Sequence, residues 1–408
     1  MRRSRSIDEF EPPPSLAVVL RCTRPAVSKS HSDRVRTLVA DPAFEWDRVV
    51  QIARYQGVTP LLYTRLQEHC SAFVPHSTLT ELRDRYRSTA VTNHYMTAVL
   101  LELLDRFQRR GIRVIPYKGP TLAQAIYGDI TMRRFTDLDL LVAREDIEEA
   151  SSVLEEDGYE WLEHPLRPTG TVLAGGPLVP PLIDELKFHH ETNDVLVEIG
   201  WQIHKPSAPV TLDYESLWTD RTPVSVPNGT VGGLGAVDRL LVLAHHGSRH
   251  RWASLKWVCD FAAATRQADC PSWDRIIERA ADTGIERRLL LAAGLAGALL
   301  DVSFPPIVER RIRDDARVVR LVDRLSRQYA ASPLSGPDER LDLPYRLQTT
   351  DSCPDALVAA TAPLFPKLTE YRSLPLPRHL FACYYLVRPV RLFTTRVRSI
   401  LNGVQADH

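Results

Sequence analysis

The run Phe135-Thr-Asp-Leu-Asp-Leu-Leu-Val142 constrains this chain more than any other part of it. In a strand beginning within Asp137-Leu-Asp139, alternate side chains fall on opposite faces. Asp137 and Asp139 then project together, while Leu138 and Leu140 point the other way into a core. Two carboxylates at one strand end suit one or two hard divalent cations with oxygen ligands. Such ions bind triphosphates and polarise the phosphorus under attack.

The surroundings of this strand set the fold class. From residue 15 to Arg110 the apolar spacing is helical, with predicted helices over Phe44–Gln56, Thr59–Leu66 and Ser77–Arg110. The pattern changes at Gly111. Strands are predicted over Arg113–Tyr117, Leu138–Val142 and Tyr159–Leu162, with helices over Thr121–Tyr127 and Arg144–Glu156. A β-hairpin follows, built from Glu185–Glu191 and Val195–Ile199. The Gly- and Pro-rich stretch Pro165–Pro181 reads as a loop or flap. Helical spacing resumes near Val237, with Arg239–His246, Leu255–Thr265, Trp273–Leu300 and Pro306–Tyr329 as candidates. The expected class is α+β, a minimal mixed sheet with helices, flanked by helical regions. The expected divisions are a disordered tail at 1–14, a helical region at 15–110, a core at 111–235, a helical domain at 236–331, and a linker with a helical tail at 332–408.

Composition excludes some function classes. Lys+Arg and Asp+Glu both total 51 in 408 residues, so no global basic field for nucleic acid exists, although a local basic groove stays open. Arginine dominates the basic residues; the lysines are Lys29, Lys118, Lys187, Lys205, Lys256 and Lys367. The six cysteines are scattered, with no CxxC pair, and read as thiols in a reducing compartment. The apolar stretch Leu16–Leu20 is too short for a signal-peptide core, and no stretch reaches membrane-span length. A cytoplasmic location is expected. The aromatic and basic tail Tyr384–Arg398 reads as packing on the body, with a membrane or partner contact as the other option.

Further residues gather around the aspartate pair. Glu198 is the only charged residue of Val195-Leu-Val-Glu-Ile199, and in a strand beside Asp137 and Asp139 it is positioned to hold a metal or accept a proton. Lys118-Gly119 ends the first strand, and a helix start at Pro120 or Thr121 makes a natural phosphate site. Arg133 and Arg134 offer fork-shaped hydrogen bonds to phosphate, or line a solvated turn. His246, Lys256 and Asp260 form a second cluster with His245, His250 and Trp252. Its expected role is docking a helix onto the core, with His246, Lys256 or Asp260 lining a substrate cleft.

The run KGPTLAQAIYGDITMRRFTDLDLLV resembles the signature of the uncharacterised bacterial nucleotidyltransferase family, within the DNA polymerase β-like superfamily. Looser matches are ARYQGVTPLLYTRL, VEIGW, HHGSRHRWASLKWVCDF and YYLVRPVRL, so the resemblance covers most of the chain from about residue 35. It implies that Asp137 and Asp139 are metal-binding acids, Glu198 the third acid, and Gly119 the glycine of the nucleotide loop. It also implies Mg²⁺ or Mn²⁺ as cofactor, an NTP as substrate, and an acceptor that is either a small molecule or a macromolecule. The superfamily's Gly-Ser is Gly119-Pro120 here, leaving Thr121 as the replacement hydroxyl, and the family's His-Trp after the third acid is Gly200-Trp201. The expected function is two-metal transfer of an NMP group from an NTP to a hydroxyl or phosphate. The alternatives are a non-catalytic nucleotide-binding or interaction protein, and a toxin-like enzyme acting on RNA or protein.

Overall fold

A computed structural model describes residues 12–25, 29–162, 185–203, 210–336, 342–392 and 394. The stretch Pro165–Pro181, expected as a loop or flap, lies outside the described residues, as does the expected disordered tail up to residue 11. Pro14, assigned to that tail, instead opens the first helix.

The helices α1 (Pro14–Cys22), α2 (Lys29–Val39), α3 (Trp46–Tyr55), α4 (Thr59–His69) and the 34-residue α5 (His76–Arg109) lead into the sheet. Pro75 precedes α5, and Gly111, at φ +72°, turns the chain out of it. The strands are β1 (Val114–Pro116), β2 (Asp137–Val142), β3 (Glu160–Trp161), β4 (Glu185–His190) and β5 (Val195–Gly200). Between them run α6 (Gly119–Tyr127) and α7 (Ile147–Glu156). The sheet order is β1-β2-β5-β4-β3; only the central β2–β5 pair is parallel. The mixed sheet and flanking helices make the class α+β, as expected.

The stretch after β5 departs from the sequence expectation. A short helix α8 (Tyr214–Thr219) and an antiparallel hairpin, β6 (Thr222–Val226) with β7 (Gly229–Gly233), occupy it. Asn228 sits at φ +66° before Gly229, the chemistry of a tight hairpin turn. Next come α9 (Ala236–Arg249), α10 (Leu255–Ala264), α11 (Trp273–Asp282), α12 (Glu286–Leu300), α13 (Pro306–Asp314) and α14 (Ala316–Ala331). Trp273–Leu300 and Pro306–Tyr329 thus each divide in two, the first at Gly284 with φ +71° and the second at Asp315. Shorter helices follow, α15 (Asp342–Gln348), α16 (Cys353–Thr361) and α17 (Leu368–Ser373).

Two large apolar cores hold these elements. The first joins α1, α3 and α4 to α9, α10, α12 and α14, so both helical flanks share one interior. Leu16–Leu20, apolar in the sequence, is buried there. The second core lies between the apolar sheet face and α5 and α7, and takes in Phe381 and Tyr384 from the C-terminal segment. All six cysteines are free, and among the described residues no helix is long and apolar enough to cross a membrane.

Gln56 links the flanks directly. Its buried side chain donates to Pro333 O at 2.7 Å and accepts from Leu255 N at 2.7 Å. Its carbonyl accepts from Ser254 Oγ and Lys256 N. The turn after α3 is thereby fixed to the first turn of α10.

Asp315 caps α14 through the N–H groups of Arg317 and Val318 and pairs with Arg287 at 2.7 Å. Burial alone would raise its carboxyl pKa, but the Arg287 bond and the two backbone donors hold it below the usual carboxylate range. This stability is complete above the unfolded carboxyl's pKa of about 3.9 and is lost as pH falls through the lower folded value. Asp315→Ala is expected to cost about 2 kcal/mol at pH 7 and progressively less below that range, read as the difference in urea midpoint from wild type.

Candidate active site

The carboxylates gather on the polar face of the sheet. Along β2, Asp137 and Asp139 alternate with the buried Leu138 and Leu140. On the parallel neighbour β5, Glu198 lies in register with Asp139. On β4, Lys187 lies in register with Glu198. One row therefore reads Asp139, Glu198, Lys187 across three adjacent strands. One carboxylate oxygen from each of Asp137, Asp139 and Glu198 lies within 4.8 Å of the other two, close enough to share a cation.

Like charges at this spacing in a partly buried site oppose one another. Burial, and then the charge of Asp139, raise the pKa of Asp137. Burial is also the main cause that raises Glu198, partly offset by its hydrogen bond from Lys187. Lys118 Nζ bonds Asp139 Oδ1 at 2.5 Å. Burial would lower the Lys118 pKa, but the Asp139 charge raises it, so this lysine stays charged.

The strand-to-helix turn that carries Lys118 depends on its glycine. Gly119 has φ +55°, a left-handed conformation that L side chains rarely adopt, and Pro120 follows in the first turn of α6. Thr121 is buried on the far side, where a Cβ on Gly233 of β7 would come within 2.8 Å of its methyl group. It does not line the cleft around the acids.

That cleft has a volume of about 490 Å³. The sheet supplies Asp137, Asp139, Glu185, Lys187 and Glu198; α9 and α10 supply His246, Arg249, Lys256 and Trp257, with His250 between them; the end of α3 supplies Arg54 and Tyr55, and the turn after it Gly57. Its cations are Arg54, Lys118, Arg133, Arg134, Lys187, Arg249 and Lys256, seven against the four carboxylates Asp137, Asp139, Glu185 and Glu198. Arg54, Arg134, Arg249 and Lys256 have no carboxylate partner among the described residues. Burial, then the Arg133 charge, push the Lys256 ammonium down to about 8. A chain with no net charge thus carries a locally cationic pocket beside its acids.

Arg133 is positioned from several directions. Buried Asn93 of α5 donates to Ile130 O and Arg133 O at 2.6 and 2.8 Å, pinning the segment before β2. Arg133 Nε donates to Asp260 Oδ2 at 2.9 Å, and Tyr127 Oη donates to Asp260 Oδ1 at 2.9 Å. Asp260 is completely buried and supports Arg133 from behind without lining the cleft. His246 and Lys256, the other two residues of that cluster, do line it. Sequence reasoning did not single out Lys187, Arg54, Arg249 or Trp257. Only Lys187 had a local signal, since the hairpin pairs it with Glu198.

A larger cavity of about 1430 Å³ adjoins the cleft through Arg54, Tyr55, Gly57, Arg134, Phe135 and Thr136. Its remaining wall is mainly the face of α5 from Glu81 to Met96 and the β4–β5 turn, with Gln51, Thr59, Pro60 and Leu334. Arg54, Arg85 and Arg134 balance Glu81, Asp84 and Asp194 there.

In a comparison with known families, residues 42–301 fit the family described as uncharacterised nucleotidyltransferase. No curated protein and no solved structure matches the chain.

Proposed function

The chain belongs to the uncharacterised nucleotidyltransferase family, and from that premise we propose that it transfers an NMP group from an NTP to a hydroxyl or phosphate acceptor. One observation carries the reading: Asp137, Asp139 and Glu198 converge within 4.8 Å inside a pocket where cations outnumber acids. The donor set is all oxygen, which fits magnesium or manganese. Bound there, such ions neutralise triphosphate charge and polarise the reacting phosphorus.

The chain's own residues do the rest. Lys118, Arg133 and Lys256 hold the phosphates, and Arg54, Arg134 and Arg249 lie at the same cleft. The acceptor oxygen bonds to the α-phosphorus, and the bond from that phosphorus to the bridging oxygen breaks. Glu198, held by Lys187 and in register with Asp139, takes the proton of an acceptor hydroxyl. Pyrophosphate leaves with its charge met by the lysines and arginines. The acceptor enters through the larger cavity, whose balanced charge suits a hydroxyl-bearing molecule better than a nucleic-acid backbone.

A second reading, nucleotide binding without turnover, draws on Lys118 and Lys187, which already neutralise two of the three acids. One experiment separates the two readings. The protein is incubated with each NTP labelled at the α-phosphorus, Mg²⁺ and a cell extract. Transfer predicts pyrophosphate release together with a labelled product, both abolished by EDTA and restored by Mg²⁺ or Mn²⁺. Bound nucleotide without pyrophosphate leaves only the second reading, and no binding removes both.

A further inference from the structure

We propose that Trp257 and His250, backed by His246, form the surface on which the nucleobase of the NTP stacks. This rests on the nucleotidyl-transfer reading for the ligand and goes beyond it in placing the base.

Three rings meet on the α9–α10 side of the cleft. The His246 and His250 centroids lie 4.7 Å apart, with 57° between planes. Trp257 stands 5.1 Å from His250, tilted by 32°, and 5.4 Å from His246, edge-on at 89°. All three border the cleft that holds the carboxylates, and each is partly exposed. Aromatic rings are unusual in a pocket otherwise dominated by charged side chains, and the faces of Trp257 and His250, 32° from parallel, suit the π-face that every base carries.

Packing does not account for the whole of this wall. The structural tryptophan of this corner is Trp252, which is fully buried against Gly247. A Cβ at Gly247 would lie 2.5 Å from the Trp252 ring, and Tyr329 Oη donates to the Trp252 carbonyl. Trp257 leans on the helical core by one side and borders the cleft by the other.

Charge fixes which way a nucleotide would lie. Lys118, Arg133 and Arg249 line the same cleft as His246, so a base on this wall puts its phosphates among them. Lys256, one residue before Trp257, is acted on by Arg133, Asp137 and Asp139, which continues the path to the acids. Burial chiefly, with those cations, pushes the His246 pKa well down and leaves a neutral ring that can both donate and accept at the edge of a base.

The test is calorimetry with ATP, GTP, CTP, UTP and inorganic tripolyphosphate, each with Mg²⁺. Trp257→Ala is expected to weaken nucleotide binding by roughly 10- to 100-fold, the size of a lost base–aromatic stack. Tripolyphosphate affinity should stay unchanged, and Trp257→Phe, which keeps a ring, should restore most of the nucleotide affinity. Equal losses for nucleotide and tripolyphosphate would mean a packing role and overturn the proposal, as would unchanged nucleotide affinity in Trp257→Ala. Wild-type binding that depends on Trp257 without pyrophosphate release keeps the stacking site and removes the transfer reading. Transfer activity with an unchanged KM in Trp257→Ala does the reverse.

Discussion

Asp139→Asn is expected to lower nucleotidyl transfer by on the order of 10³-fold or more while leaving the fold in place. Asp139 occupies the centre of the site. It stands in register with Glu198, shares β2 with Asp137, and bonds Lys118. Asparagine keeps the volume and one oxygen able to accept from Lys118, so packing is preserved. What goes is one negative charge of three, at the place where the proposed reaction would hold its cation. The thermal midpoint should stay near that of wild type, because the substitution also relieves repulsion of Asp137. Label transfer from NTP measures the effect, and an Asp139→Asn protein working at the wild-type rate would remove the carboxylate cluster from the chemistry.

The second large effect concerns stability. Asp260→Ala should cost about 4 kcal/mol, because it leaves the guanidinium of Arg133 buried without a counter-charge. Arg133 is only 5% exposed and Asp260 not at all. The same change also strips the Tyr127 hydroxyl of its acceptor, so three elements lose their joint: α6, the segment before β2, and α10. Asp260→Asn keeps an acceptor and should be milder. The double variant Arg133→Met with Asp260→Leu should be less destabilised than Asp260→Ala alone, since the buried cation is gone. Urea denaturation orders the variants. A midpoint for Asp260→Ala equal to wild type would show that the pair contributes nothing net.

How legible this was in the sequence differs from element to element. The alternation in Asp137-Leu-Asp139-Leu gave both the strand and the direction of its acids, because a two-residue period has one structural meaning here. Glu198 was legible as a lone charge in an apolar strand. The hairpin β6–β7 was not, although Pro227-Asn-Gly229 is a turn signal, because the glycines of β7 dilute the strand pattern. Lys187 was within reach: once β4 and β5 pair with His190 opposite Val195, Lys187 falls opposite Glu198. Arg54 was beyond it, since no local pattern tells a helix in the N-terminal region that its last turn will face a sheet eighty residues on. Thr121 shows the converse. Its position after Gly119-Pro120 suggested a phosphate contact, but helical geometry turns it under β7.

The Gln56 joint has a consequence for how the molecule comes into being. It spans 199 residues to Leu255 and 277 to Pro333. Closing so long a loop is slow, and a chain emerging from the ribosome completes its N-terminal segments first. The acidic face of the sheet can therefore assemble before α10 has been synthesised. Lys256 and Trp257 reach the cleft only after that, and Pro333 later still. A nascent chain would expose its carboxylates to the cell with the opposite wall missing, and the closed cleft would arrive late.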